Sequence, residues 1–194
     1  MTWTASLYDY LYRSMPLHTA GLLTAVFLII LHGILLLRGE SLRPFLAGFH
    51  RNYQAGVVLL FLGFLWVFLI WSEMDLGEFF HLESKVQFVL IAGFALFGWY
   101  VRDYLSVRAL GLLMVLAPGP LLQAALLEPP TSRLLLVALC YVWLVAGMFF
   151  VGMPYLFRDL VAWVLRSPPR LRFGALAGLA YGVLMVLCVY LSHW

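Results

Sequence analysis

Charged residues are gathered into short groups along this chain, and long uncharged runs separate the groups. Six runs are rich in leucine, valine and phenylalanine, as expected of helices that cross a membrane. Such runs keep ionised side chains out of the hydrocarbon layer, where they are costly. The approximate limits of the six predicted spans are 17–37, 54–72, 86–101, 109–127, 134–157 and 173–192.

The third run is the shortest of the six. A hydrocarbon core of roughly 30 Å needs about 20 helical residues at 1.5 Å per residue, whereas residues 86–101 provide 16. We expect Lys85 and Arg102 to extend toward the two interfaces, or adjoining residues to lengthen the helix. The pattern as a whole predicts an all-α fold in which residues 1–194 form one transmembrane domain.

Several connections between the runs mix apolar or aromatic residues with charges, as helices lying in the membrane interface do. We expect short interfacial helices within Ser41–Tyr53, Leu76–Lys85 and Phe157–Arg166. The composition agrees with a membrane protein, because 64% of the 194 residues are hydrophobic and 11% are charged. A water-soluble domain of this size needs more charge on its surface.

The distribution of basic residues predicts the orientation of the spans. Nine basic residues lie on one set of alternate connections and three on the other, which places the first set in the cytoplasm. The nine are Arg38, Arg43, Arg51, Arg102, Arg108, Arg158, Arg166, Arg170 and Arg172, and the three are Arg13, Lys85 and Arg133. Both termini are then extracytoplasmic, and we expect a multi-pass protein of a bacterial-type inner (plasma) membrane.

The isoelectric point near 9.0 does not indicate a nucleic-acid partner. The arginines lie next to the spans rather than on a folded soluble surface, so their expected partners are anionic lipid headgroups. No cofactor is predicted either. A membrane b-type haem needs two axial ligands, usually histidines on facing helices, and His32 is the only histidine well inside a span.

Glycines recur at every fourth position of the sixth span, at Gly174, Gly178 and Gly182. Two consecutive GxxxG motifs put these glycines on one stripe of the helix, where another backbone can approach closely. The stripe therefore predicts a helix-packing face. The pattern leaves open whether the neighbour belongs to this chain or to another subunit.

The fourth span contains Pro118, Gly119 and Pro120 near its midpoint, with Gln123 as the nearest polar side chain. Two prolines remove two amide donors, so the helix is expected to kink or break there. Carbonyl groups released at this depth are used by some transporters to bind a substrate or ion. These four residues form a hypothetical ligand site, with a passive kink as the alternative.

A second hypothetical site lies at the outer boundary, where histidines occur at the depth of several carboxylates. Imidazole and carboxylate groups are ligands for transition metals. The residues concerned are His18, His81, Glu78 and His193. Their spacing fixes no coordination geometry, and a solvated acidic loop is the alternative.

These features support three hypotheses about function. The first is a non-catalytic accessory or scaffold subunit of a larger membrane complex, since the spans carry few ionisable groups. The second is a transporter of a small solute or ion at the break in the fourth span. The third is an enzyme acting on lipid at the outer surface through His81 and its acidic neighbours, although no catalytic motif is present in the sequence.

The predicted topology has a direct test. A reporter fused after Trp194 is expected to be extracytoplasmic, whereas one inserted within Arg166–Arg172 is expected to be cytoplasmic, because the basic connections are retained inside. Enzymatic reporters that are active on one side only measure this. A cytoplasmic C-terminus would contradict an even number of spans with both ends outside.

Overall fold

The computed structural model describes residues 3–74, Gly77 and residues 82–191, and every secondary-structure element within them is a helix. The predicted all-α fold is thereby confirmed. The α-helices are α1 (Trp3–Asp9), α2 (Leu17–Gly48), α3 (Tyr53–Ser72), α4 (Glu83–Tyr100), α5 (Leu105–Leu116), α6 (Pro118–Ala124), α7 (Leu134–Gly152), α8 (Tyr155–Leu165) and α9 (Pro168–Leu191). Shorter helical segments of π or 3-10 type are Tyr10–Ser14, Phe49–Arg51 and Thr131–Arg133.

Within the described residues, five helical segments are long and apolar enough to cross a membrane. They are Leu17–Arg51, Tyr53–Ser72, Leu105–Ala124, Thr131–Gly152 and Pro168–Leu191. The segment Leu105–Ala124 contains both α5 and α6. A further apolar helix, Ser84–Tyr100, is shorter, as expected for the third run. The chain is therefore a multi-pass helical membrane protein, and the expected number of about six spans is close.

Two of the three expected interfacial helices fall within the described residues. The backbone of α2 leaves the helical conformation at Arg38 (φ −122°, ψ 15°), so the helix bends there, and its second arm overlaps the expected range 41–53. Helix α8 forms the last of the three, and the Arg43 guanidinium donates a hydrogen bond to the Leu165 carbonyl at its end. The expected helix at 76–85 lies mostly outside the described residues.

Helix α7 ends at Gly152, earlier than the expected limit of the fifth span at residue 157. Pro154 explains the difference, because a proline disfavours helical geometry in the residue before it. Met153 accordingly has φ −129° and ψ 66°. The chain resumes helical structure at Tyr155, so the apolar residues that follow belong to α8 and not to the span.

Helix α5 lies between α3 and α7, and it buries a larger share of its residues than the other spans do. A Cβ atom on Gly56 of α3 would stand 2.7 Å from the amide nitrogen of Ser106. On the opposite side, a Cβ on Gly111 would stand 2.8 Å from the Gly147 carbonyl oxygen, and the reverse distance is also 2.8 Å. The Ser106 hydroxyl donates a hydrogen bond to the Phe49 carbonyl at 2.6 Å. These contacts bring the backbone of α5 close to the backbones of α3 and α7.

Helices α2 and α9 form a second closely packed pair. A Cβ on Gly182 would stand 3.1 Å from the Ala25 carbonyl oxygen of α2. The Tyr181 hydroxyl donates to the Leu135 carbonyl at 2.7 Å and so connects α9 with α7. An apolar cluster also joins this pair to α6 and α7. Its buried members are Met15, Leu17, Ala20, Ala25, Leu28, Ala124, Ala125, Leu136, Cys140 and Met185.

The N-terminal helix and the π segment that follows it lie against α3 and α6. The indole Nε1 of Trp66 donates a hydrogen bond to the Tyr12 hydroxyl oxygen at 2.9 Å. Burial raises the pKa of the Tyr12 hydroxyl above its ordinary value. The Tyr12 ring also lies 3.4 Å from where a Cβ on Gly119 would stand. Tyr12 thus connects the N-terminal segment with two spans.

Replacing Gly56 tests the close approach of α3 and α5. We expect Gly56→Ala to lower the free energy of unfolding by about 1–3 kcal/mol, because its methyl group would meet the backbone of Ser106. Gly33→Ala is the matched control, since nothing lies within 4 Å of its Cβ position. Unfolding in detergent measures both variants. An equal loss of stability in the two would contradict the close contact.

Candidate functional site

The three glycines of the α9 stripe have different surroundings. The His32 ring of α2 occupies the space in which a Cβ on Gly178 would lie, and Gly182 faces the α2 backbone at Ala25. Gly174 is exposed, and nothing lies within 4 Å of its Cβ position. The structure therefore places two of the three glycines against a helix of the same chain.

His32 is held by its own helix. Its Nδ1 atom lies 2.8 Å from the Leu28 carbonyl oxygen, to which it donates when that nitrogen carries the proton. The ring thereby reaches across from α2 to Gly178 of α9. His32 is thus a half-buried, hydrogen-bonded residue, and its ring fills the space that the glycine leaves.

The proline pair of the fourth span divides the helix without unwinding it. Ala117 keeps helical angles (φ −58°, ψ −37°), and α6 begins at the next residue. Pro118 and Pro120 are buried, whereas Gly119 and Gln123 are exposed. The four residues of the hypothetical ligand site are thus split between the interior and the surface of the bundle, and binding of a solute there stays a prediction.

The hypothetical metal site falls largely outside the described residues. His81, Glu78 and His193 belong to the undescribed part, whereas His18 is exposed with its Nε2 atom 3.2 Å from the Thr19 hydroxyl. Across residues 3–74 and 82–191, no group of three histidine, cysteine, aspartate or glutamate side chains is placed to hold a metal ion. The metal site stays a prediction.

A cleft of about 410 Å³ separates α4 from α5, with α3 and α7 at its sides. The cleft exists because α4 packs mainly on α3, and none of residues 84–100 is buried. Its lining is apolar with the exception of one arginine. The lining includes Leu60 of α3, Val89, Gly93 and Phe97 of α4, and Arg108 and Leu112 of α5.

Arg108 is the charged member of this lining, and its Nε atom is buried without a hydrogen-bond partner among the described residues. The charge pattern of the sequence groups it with the other boundary arginines. The sequence does contain a signal that Arg108 lies within the span, because Leu105–Val107 before it are uncharged. A helix that starts after Tyr104 therefore includes Arg108 in the span. Arg102 differs, because it is exposed and its Nε donates to the Trp99 carbonyl at 3.4 Å.

The fold defines the class of this protein, an α-helical protein whose apolar helices cross a membrane several times. The chain matches no protein-family model, and comparison with curated proteins and with solved structures finds no match. Only the geometry and sequence of the chain itself then bear on its function.

The contact between Gly178 and His32 has a test within the same stripe. We expect Gly178→Leu to destabilise the protein by at least about 1–3 kcal/mol, because the new side chain would overlap the imidazole ring. Gly174→Leu should have little effect, since that position is open. Adding His32→Ala to the Gly178→Leu variant should restore part of the lost stability. Unfolding midpoints in detergent that are the same for both leucine variants would contradict this packing.

Proposed function

We propose that this chain is a non-catalytic integral membrane subunit that binds a transmembrane helix of another membrane protein on the outward face of α4. The observation that carries the proposal is a stripe on this helix, which we call the α4 stripe. It consists of Phe88, Ala92, Ala95 and Trp99.

The α4 stripe has the spacing of a helix-packing face. Its members follow one another at intervals of four, three and four residues, which is the heptad spacing of left-handed helix pairs. Two alanines at its centre would let a second backbone approach, as small residues do in membrane helix pairs. Phe88 and Trp99 at its ends are 72% and 67% exposed and would pack around the partner.

Helix α4 also has weaker internal packing than the spans around it. No other heavy atom lies within 4 Å of a Cβ position on Gly93, and a Cβ on Gly98 would meet only the flexible end of the Leu60 side chain. By contrast, a Cβ on Gly111 of α5 or on Gly147 of α7 would meet the backbone of the facing helix. Because helix association in lipid depends on close packing, α4 has the most to gain from a partner outside the chain.

Other parts of the proposal rest on the sequence. The spans carry few ionisable groups, which favours a scaffold or accessory role over catalysis. The basic residues on one set of short connections support a bacterial-type inner membrane, where they would meet anionic lipids. The partners are then membrane lipids and other membrane protein subunits.

Photo-crosslinking tests the proposed interface. A photoreactive phenylalanine analogue at Phe88 is expected to form an adduct with one discrete protein in native membranes, because this position would face the partner helix. The matched control carries the analogue at Tyr190 of α9, another exposed aromatic residue, at 67% exposure. We expect this control to react with lipid only. Mass spectrometry identifies the products.

Specificity of the adduct is tested by a second substitution. Ala95→Leu in the Phe88-labelled chain should abolish the protein adduct, because the larger side chain would hold the two backbones apart. The amount of folded chain should not change. Lipid adducts alone at both positions, or a protein adduct that Ala95→Leu leaves intact, would contradict docking on the α4 stripe.

A further inference from the structure

Arg108 has an unsatisfied nitrogen at the edge of the membrane. Its Nε atom is buried, and no acceptor among the described residues bonds to it. A buried donor without a partner costs free energy, and the cost is larger when the donor belongs to a charged group. Arginines within membrane spans normally pair with an anion or a carbonyl group. An oxyanion in the cleft that Arg108 lines would therefore supply an anionic partner for this side chain.

Arg108 lies at one end of the cleft, and the rest of the lining is apolar. The Tyr53 hydroxyl bonds to the Gly98 carbonyl, which places the start of α3 beside the end of α4. The start of α5 is at this same end, because Gly56 of α3 lies against Ser106, and Arg108 belongs to that first turn of α5. Val89 is eleven residues before the end of α4 at Tyr100, about 16 Å further along at 1.5 Å per residue. Only apolar side chains line that deeper part.

We propose that the cleft between α4 and α5 binds one anionic phospholipid of the cytoplasmic leaflet, with its phosphate at the Arg108 guanidinium and one acyl chain beside Gly93. The phosphate oxygens accept hydrogen bonds from the guanidinium that lines the cleft. The chain fills space that the helices leave empty. The stripe proposed for a partner helix lies on another face of α4, so the two proposals are independent.

The surrounding charge favours a lipid with a net negative charge over a zwitterionic one. This end of the bundle carries most of the basic residues of the chain, including Arg51 and Arg158. Three acidic residues also lie here, Glu40, Asp103 and Asp159. Glu40 is paired with Arg43 at 3.1 Å and Asp159 with Arg158 at 2.8 Å. A net positive boundary of this kind attracts anionic headgroups. Phosphatidylglycerol therefore represents the proposed ligand, and phosphatidylcholine is the zwitterionic comparison.

Competition between the two lipids tests the headgroup contact. The full chain is placed in nanodiscs that contain equal amounts of phosphatidylglycerol and phosphatidylcholine. Native mass spectrometry then counts the lipids that stay bound to the chain after it is released from the nanodisc. We expect one phosphatidylglycerol per chain. Arg108→Gln should reduce its retention about tenfold, as the loss of a hydrogen bond to a charged group implies. Arg102→Gln is the matched control on the same boundary and should retain the lipid.

Gly93→Leu tests the acyl-chain contact without changing any charge. Its side chain would enter the cleft, where nothing lies within 4 Å of the Cβ position, so the protein should fold and lose the lipid. Retention by Gly93→Leu equal to that of the unmodified chain would overturn the proposal, even if Arg108→Gln cannot be purified folded. Equal retention of the two lipids, or displacement of phosphatidylglycerol by added palmitate, would also overturn it. None of these results affects crosslinking at Phe88.

Discussion

Close backbone contact at glycine is the constraint on which this helix bundle depends. Lipid tails are as apolar as leucine side chains, so helices in a membrane gain little by hiding apolar surface from their surroundings. They gain from dense packing, and glycine permits the densest. Gly56 faces the backbone of α5, Gly111 and Gly147 face each other, and Gly182 faces the backbone of α2. Hydrogen bonds from Ser106 and Tyr181 add directional contacts between helices.

The same constraint explains why α4 differs from its neighbours. Helix α5 is enclosed between α3 and α7 because glycines face the backbone on both of its sides. Helix α4 has no such contact, and it leaves a cleft beside α5 and an α4 stripe whose Phe88 and Trp99 are exposed. The proposed lipid and the proposed partner helix each supply packing that the chain does not provide for this span. Both proposals thus follow from one feature of the fold.

The course of the chain through the membrane could be predicted from the sequence because charged side chains are costly in hydrocarbon. The spans therefore appear in the sequence as uncharged runs. The kink at Arg38 and the early end of α7 before Pro154 were harder to locate, since they depend on local backbone geometry within apolar sequence. A proline after an apolar run was nevertheless a usable signal. The charge pattern alone did not locate the end of α7.

The sequence could not show which residues contact these glycines and Arg108 in the folded chain. The spacing of Gly174 and Gly178 puts both on one stripe, yet only Gly178 meets His32, because the tilt of two helices decides where they touch. Gly111 and Gly147 are far apart along the chain, and neither belongs to a repeated glycine motif. In the sequence Arg108 resembles an ordinary boundary arginine, and only the position of α4 beside α5 shows that it lines a cleft.

A double-mutant cycle at Gly111 and Gly147 tests the central role of glycine contacts most directly. The free energies of unfolding are measured for Gly111→Ala, Gly147→Ala and the double variant. If the two backbones touch, the first methyl group already separates α5 and α7, so the second costs less. We expect a double-variant loss that is smaller than the sum of the single losses by about 0.5–3 kcal/mol. Additive losses would contradict it, because they would show that the two glycines do not share a contact.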